Sequence, residues 1–158
     1  MLEWNIDRTF LENDENFIWT IFATTAFTNS EYLSSAEPNI EGKKVEFVPL
    51  VNLKTGTGIG SKNFMSSLQF SYVSEQFTDA TNSFVGSNDS SNGITGQIPA
   101  YYVIAFSTSY TWRQFKFEAG ITNITNNSYF TRRATEYPRP GIIPFENRTL
   151  YITLEIKF

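Results

Sequence analysis

Four arginines, Arg132, Arg133, Arg139 and Arg148, crowd a short stretch near the carboxy-terminus of a chain with only 12 basic residues. A guanidinium carries a planar fork of donors that grips a carboxylate or phosphate through two hydrogen bonds. The cluster therefore suits capture of an anionic ligand. A structural use competes with that one: Arg132 and Arg148 can pair with Glu136 and Glu146 to order the loop, and Arg148 is expected to begin the last strand. Gln76 and Asp79, at the top of an earlier strand, are further candidates for ligand contact, against simple solvation at a rim.

Other chemistry finds little support. The chain has no histidine, which removes the usual general base and the commonest metal ligand. It has no cysteine either, so thiolate sites and disulfides are excluded. No Gly-x-Ser-x-Gly elbow, phosphate-binding glycine loop or zinc spacing is present. The stretch Ser87-Asn-Asp-Ser-Ser-Asn-Gly93 lacks the carboxylates and closing glutamate of a calcium loop. Sequons at Asn88, Asn123, Asn126 and Asn147 are what chance gives in a chain this rich in Asn, Ser and Thr. The net charge of -4 argues against nucleic acid. The expectation is a non-enzyme with no cofactor and no metal.

The elements that carry these residues are strands. From Leu150 to Phe158 apolar and polar residues alternate without a fault: Leu150, Ile152, Leu154, Ile156 and Phe158 on one face, Tyr151, Thr153, Glu155 and Lys157 on the other. The same alternation recurs at Leu2–Asp7, Phe17–Thr28, Ser67–Tyr72, Tyr102–Trp112 and Phe115–Thr122. It is noisier over Phe47–Ser61, where Gly56, Gly58 and Gly60 share a face. These make about seven strands. Short connections near Leu11–Asn16, Ser61–Asn63 and Arg113–Gln114 alternate with long ones near Asn29–Glu46, Thr78–Ala100 and Thr125–Asn147. An up-and-down antiparallel meander with tight turns at one rim and long loops at the other has this rhythm, as outer-membrane barrels do.

Aromatic residues make up 16% of the chain, and they gather near strand ends: Tyr101 and Tyr102 at one end, Tyr110 and Trp112 at the other. That suits girdles at two membrane interfaces. The longest apolar run, Ala100–Phe106, is too short for a spanning helix. The amino-terminal residues carry no export signal, which hints at a fragment. Two rivals remain. A small stand-alone porin or adhesin barrel needs an even strand number and a signal. A soluble carbohydrate-binding β-sandwich would bury Phe70, Phe106 and Phe117 under a second sheet.

The succession of motifs resembles the carboxy-terminal barrel of TonB-dependent outer-membrane receptors, of the iron(III)-dicitrate type. It runs through Glu46-Phe-Val-Pro49, Glu75-Gln-Phe-Thr-Asp-Ala80, Gly96-Gln-Ile-Pro-Ala-Tyr101, Gly120-Ile-Thr-Asn-Ile-Thr-Asn126, Tyr129-Phe-Thr-Arg-Arg-Ala134, Tyr137-Pro-Arg-Pro-Gly141 and the terminal strand. Two departures stand out: Ala105 occupies a position where relatives carry aspartate, and Arg139 one where they carry glycine, so ligand preference does not transfer. The resemblance implies that residues 1–158 are the last part of a barrel of about 22 strands, with plug and signal peptide lacking. It implies outer-membrane location and ferric-chelate uptake, with contact to the TonB complex only through the plug. Leu154, Ile156 and Phe158 would be read by the barrel-insertion machinery. An arc of this size has two open edges, and unsatisfied backbone in hydrocarbon costs several kcal/mol per group. The isolated chain is therefore expected not to form a stable pore.

Overall fold

The computed structural model describes residues 2–10, 17–84, 96–134 and 141–157. The alternating segments extend as β1 (Leu2–Phe10), β2 (Ile18–Phe27), β3 (Val51–Gly60), β4 (Phe64–Val73), β7 (Tyr101–Trp112), β8 (Phe115–Thr122) and β11 (Thr149–Ile156). They form one 7-stranded sheet in the order β1-β2-β3-β4-β7-β8-β11, each strand antiparallel to its neighbours. Within the sheet this is the expected meander, with β1 and β11 as edges.

Register carries the greasy face across the whole sheet, because directly paired residues point the same way. Leu68 pairs with Phe106, Phe106 with Ile121, and Ile121 with Leu150. Tyr110 pairs with Phe117, and Phe117 with Leu154. Trp4, Ile6, Trp19, Ile21, Leu53 and Ile59 continue the same face through β1, β2 and β3. Nothing described covers it: Phe106 is 38% exposed, Phe117 45% and Leu154 54%. A sandwich would have sealed these side chains, so that alternative is overturned.

Three threonine hydroxyls on the apolar face are turned onto backbone carbonyls. Thr57 Oγ1 donates to Thr20 O at 3.0 Å and accepts from Trp19 Nε1 at 2.8 Å. Thr55 Oγ1 donates to Phe22 O at 2.8 Å, and Thr108 Oγ1 to Met65 O at 3.2 Å. An apolar surrounding offers no water to a hydroxyl, and bonds of this kind satisfy it there.

The opposite face is polar and closely fitted. Ser67 and Ser107 share a hydroxyl bond of 2.8 Å, and Lys116 pairs with Glu118 at 2.5 Å. The noisy glycine positions have a steric cause. Gly56 lies directly opposite Phe22, whose ring sits 2.7 Å from where a Cβ on Gly56 would stand. Gly120 lies opposite Tyr151, whose ring lies across it in the same way.

Two features depart from the sequence reading. The long connections hold ladders of their own: β5 (Gln76–Phe77) pairs with β6 (Gln97–Ile98), and β9 (Phe130–Ala134) with β10 (Gly141–Pro144). These pairings are too short to register as periodicity. Tyr101 also sits on the inner face, stacked on Tyr129 with centroids 4.6 Å apart. Tyr102, Tyr110 and Trp112 alone of the four expected aromatics belong to the outer girdle, because adjacent residues on a strand face opposite ways. Among the described residues the buried hydrophobic side chains are Phe77 and Ile98, both in the loops, with Ile98 0% exposed.

Candidate functional site

The sheet's long-loop rim brings the candidate residues together. Gln76, Thr131, Arg132 and Arg133, with Phe47, line a cleft of about 450 Å³. Gln76 comes from the second long connection and the arginines from the third. The ring of Phe47 comes from the first. Three of the residues singled out by type therefore meet in space, although two different loops carry them.

Their roles differ. Arg133 is half-buried; its Nη2 donates to Gln97 O at 2.8 Å, and its guanidinium lies 5.1 Å from the centre of the Phe130 ring. It joins the β9–β10 ladder to β6, so its first function is to hold two loops together. Arg132 is exposed and faces the cleft as an available cation. Asp79 does not line the cleft. Its carboxylate accepts from Thr81 Oγ1, from Ser83 N at 3.2 Å and from Ser83 Oγ at 3.0 Å. Partial burial pushes that carboxyl up, but the hydrogen bonds from Thr81 and Ser83 outweigh it, so the net shift is downward. Arg139 and Phe158 lie outside the described residues, as does Glu136. Leu154 and Ile156 stand on the outer face of β11. The expected pairing of Arg148 with Glu146 is absent among the described residues; Arg148 N instead donates to Asn126 Oδ1 at 3.1 Å.

Phe47 and Asn82 are the residues that sequence reasoning missed. Phe47 adopts φ 57 just before β3, and its N–H donates to Phe77 O at 2.8 Å. Asn82, at φ 55, donates to Lys44 O at 2.8 Å and accepts from Lys44 N at 2.7 Å. The three long connections are thus tied into one body: first to second through Asn82 and Phe47, second to third through Arg133. Asparagine's tolerance of the left-handed region was the available signal for Asn82; Phe47 stood inside the Glu46-Phe-Val-Pro49 motif, but its type gave no sign of a left-handed backbone.

The third connection is also fixed at its base. Asn123, 2% exposed, donates to Asn127 O at 2.8 Å and to Glu146 O at 3.3 Å, and accepts from Asn127 N at 2.9 Å. Tyr129 stacks between Tyr101 and Phe145, and burial raises its phenol, with Tyr101 and Glu146 adding to the shift. Chemically the cleft offers a cation, an amide and an aromatic wall on a preorganised rim. That is equipment for holding a ligand, and no group in it is placed for proton transfer.

No protein-family model matches the chain. Among solved structures it is similar to the ferric citrate transporter FecA in its unliganded form, with a TM-score of 0.76 and 26% identity over 89% of this chain. The ferric yersiniabactin uptake receptor FyuA from Yersinia pestis matches over 99% of the chain with a TM-score of 0.71 and 16% identity. The siderophore receptor PiuA from Acinetobacter baumannii matches over 99% with a TM-score of 0.66 and 15% identity. The chain spans 21% of the first of these proteins and 23% of the second. Its structural neighbours are TonB-dependent receptors for ferric citrate and siderophores, and its sheet has the fold of an arc of their barrel.

Proposed function

We propose that this chain is an arc of an outer-membrane barrel that takes up a ferric chelate, with the apolar face on lipid and the tied loops outside the cell. The observation that carries the reading is the uncovered, mainly apolar face that runs from β1 to β11, beneath loops sorted by length onto one rim. A soluble protein leaves no contiguous apolar surface of this extent. The likeness to receptors whose names include ferric citrate and yersiniabactin supports the cargo class. The work is capture and passage, with no covalent chemistry. Energy from a TonB complex, delivered through a plug inside the barrel, and insertion guided by Leu154, Ile156 and Phe158 belong to the same proposal.

Within it, Arg132 and Gln76 contact the anionic chelate, Phe47 provides an apolar wall, and Arg133 positions the loop. Arg139, outside the described residues, is assigned to the same ligand by its place in the sequence alone. Asp79 serves the fold of its own turn. The test is chelate binding by full-length protein carrying Arg132→Gln, alone and with Arg133→Gln. Loss of one charge-assisted hydrogen bond, worth about 1.5 kcal/mol, weakens binding of ferric citrate roughly tenfold. Binding unchanged in both variants removes the site assignment.

A further inference from the structure

The short-turn rim has its own arrangement of charge. The turn after β7 places Arg113 at φ 54, and its guanidinium lies 5.6 Å from the centre of the Trp112 ring. Trp112 is paired with Phe115, and Phe115 with Ile156, so this ring belongs to the outer, apolar face. Arg113 is thereby drawn out of the lumen and laid against the outer aromatic belt. The neighbouring turn, 61–63, is fastened beside it: Thr111 N donates to Asn63 O at 2.8 Å. That turn presents Lys62, exposed like Arg113.

Neither cation has an anionic partner among the described residues. The other charges nearby are matched on the inner face, Lys116 with Glu118 at 2.5 Å and Lys157 with Glu155 at 3.9 Å. The rim from β4 to β8 therefore presents two free cations above a band of aromatic residues: Phe64, Tyr110, Trp112 and Phe115. In a bilayer this height is where headgroup phosphates lie.

We propose that Arg113 and Lys62 hold the phosphate of an anionic glycerophospholipid in the leaflet at the short-turn rim, with Trp112 against its glycerol and upper acyl region. This inference rests on the lipid-facing assignment of the apolar face. A planar fork over an aromatic ring suits a phosphodiester, since the ring fixes the guanidinium and leaves its outer N–H groups free. The mobile ammonium of Lys62 adds charge without a geometric demand.

The test is native mass spectrometry of the detergent-solubilised full-length protein, supplied with equal mole fractions of phosphatidylglycerol and phosphatidylethanolamine. A basic residue at a membrane surface is worth about a fivefold preference for anionic lipid. The wild type is expected to retain phosphatidylglycerol about tenfold more strongly or better, and Arg113→Gln with Lys62→Gln to bring the two lipids near parity. Lys54→Gln, which removes a charge from the inner face of β3, is expected to leave the preference intact. Equal retention of both lipids by the wild type, or a preference that survives the double change, overturns the proposal. So does loss of the bound lipid to millimolar inorganic phosphate, which would mark a site for a free anion. A protein that stays dispersed without detergent refutes the lipid-facing assignment and this inference with it; one that needs detergent but shows no lipid preference refutes this inference alone.

Discussion

Placing an arginine at graded depths on β7 separates a lipid-facing strand from one that faces protein. Phe106 stands midway along the outward row that runs from Tyr102 to Trp112. At ~3.3 Å per residue Trp112 lies about 20 Å from it along the strand, and about 14 Å along the membrane normal at a tilt of ~45°. Arginine at the bilayer midplane costs about 2–4 kcal/mol, and near an interface about 0–1 kcal/mol. Phe106→Arg should therefore destabilise the folded barrel by about 3 kcal/mol. Trp112→Arg should cost ~1 kcal/mol for depth, plus the loss of its ring contacts with Phe115 and Arg113. Ser109→Arg is the inward control. Ser109 is paired with Glu118, so the new charge meets a carboxylate across the strands and the change stays within about 0.5 kcal/mol. The assay is reversible guanidinium unfolding of full-length protein from phosphatidylcholine bilayers, followed by tryptophan emission. Equal penalties at 106 and 112, or a larger penalty at 109 than at 106, would refute the assignment of hydrocarbon to this face.

Three further outcomes follow from local geometry. Asn82→Gly keeps the left-handed backbone but removes both bonds to Lys44, so amide exchange over 28–50 should quicken by about thirtyfold, from ~1 kcal/mol per hydrogen bond; unchanged protection would mean that the loops are not joined through Asn82. Asp79 has its carboxyl held below the ordinary 3.8, so its contribution to loop order is fully present above pH ~4 and is lost as pH falls through the folded value. Amide exchange of 78–84 measured between pH 6 and pH ~3 checks this, and protection that rose on acidification would contradict it. Gly120→Val drives a branched side chain into the ring of Tyr151 and should cost about 1–3 kcal/mol, while Gly120→Val with Tyr151→Ala recovers part of the loss; a neutral single variant would show that the ring does not need the space.

The sheet was legible because its physics is one-dimensional. A strand with a different solvent on each side must alternate, and Leu150–Ile156 does so without reference to anything distant in sequence. Loop sorting was legible for the same reason, since up-and-down topology turns a property of space into an order along the chain. Tyr101 was misassigned to the girdle: two tyrosines in succession cannot both face lipid, and Tyr102, in step with Phe106 and Trp112 and paired with Tyr72, is the one on the apolar face. The loop ladders were illegible because strands of two residues, or of four and five, are too short to show a period. Their partners are chosen by tertiary contacts such as Phe77 against Phe84, centroids 5.4 Å apart.

The location of the buried hydrophobic residues explains that division. In a soluble domain the strands bury the core, and loops are the least constrained part. Here the strands give their apolar side chains to the outside, and the small core formed by Phe77 and Ile98 lies in the loops. The loops therefore fold by ordinary aqueous rules, with non-local contacts that sequence periodicity cannot reveal. The same inversion accounts for the two faces of the arginine cluster. Arg133 became a strut because the loop layer has little apolar material to hold it together, and a guanidinium can bond a carbonyl while lying on a ring. Arg132, one residue earlier, lines the same cleft and is left exposed there for a ligand.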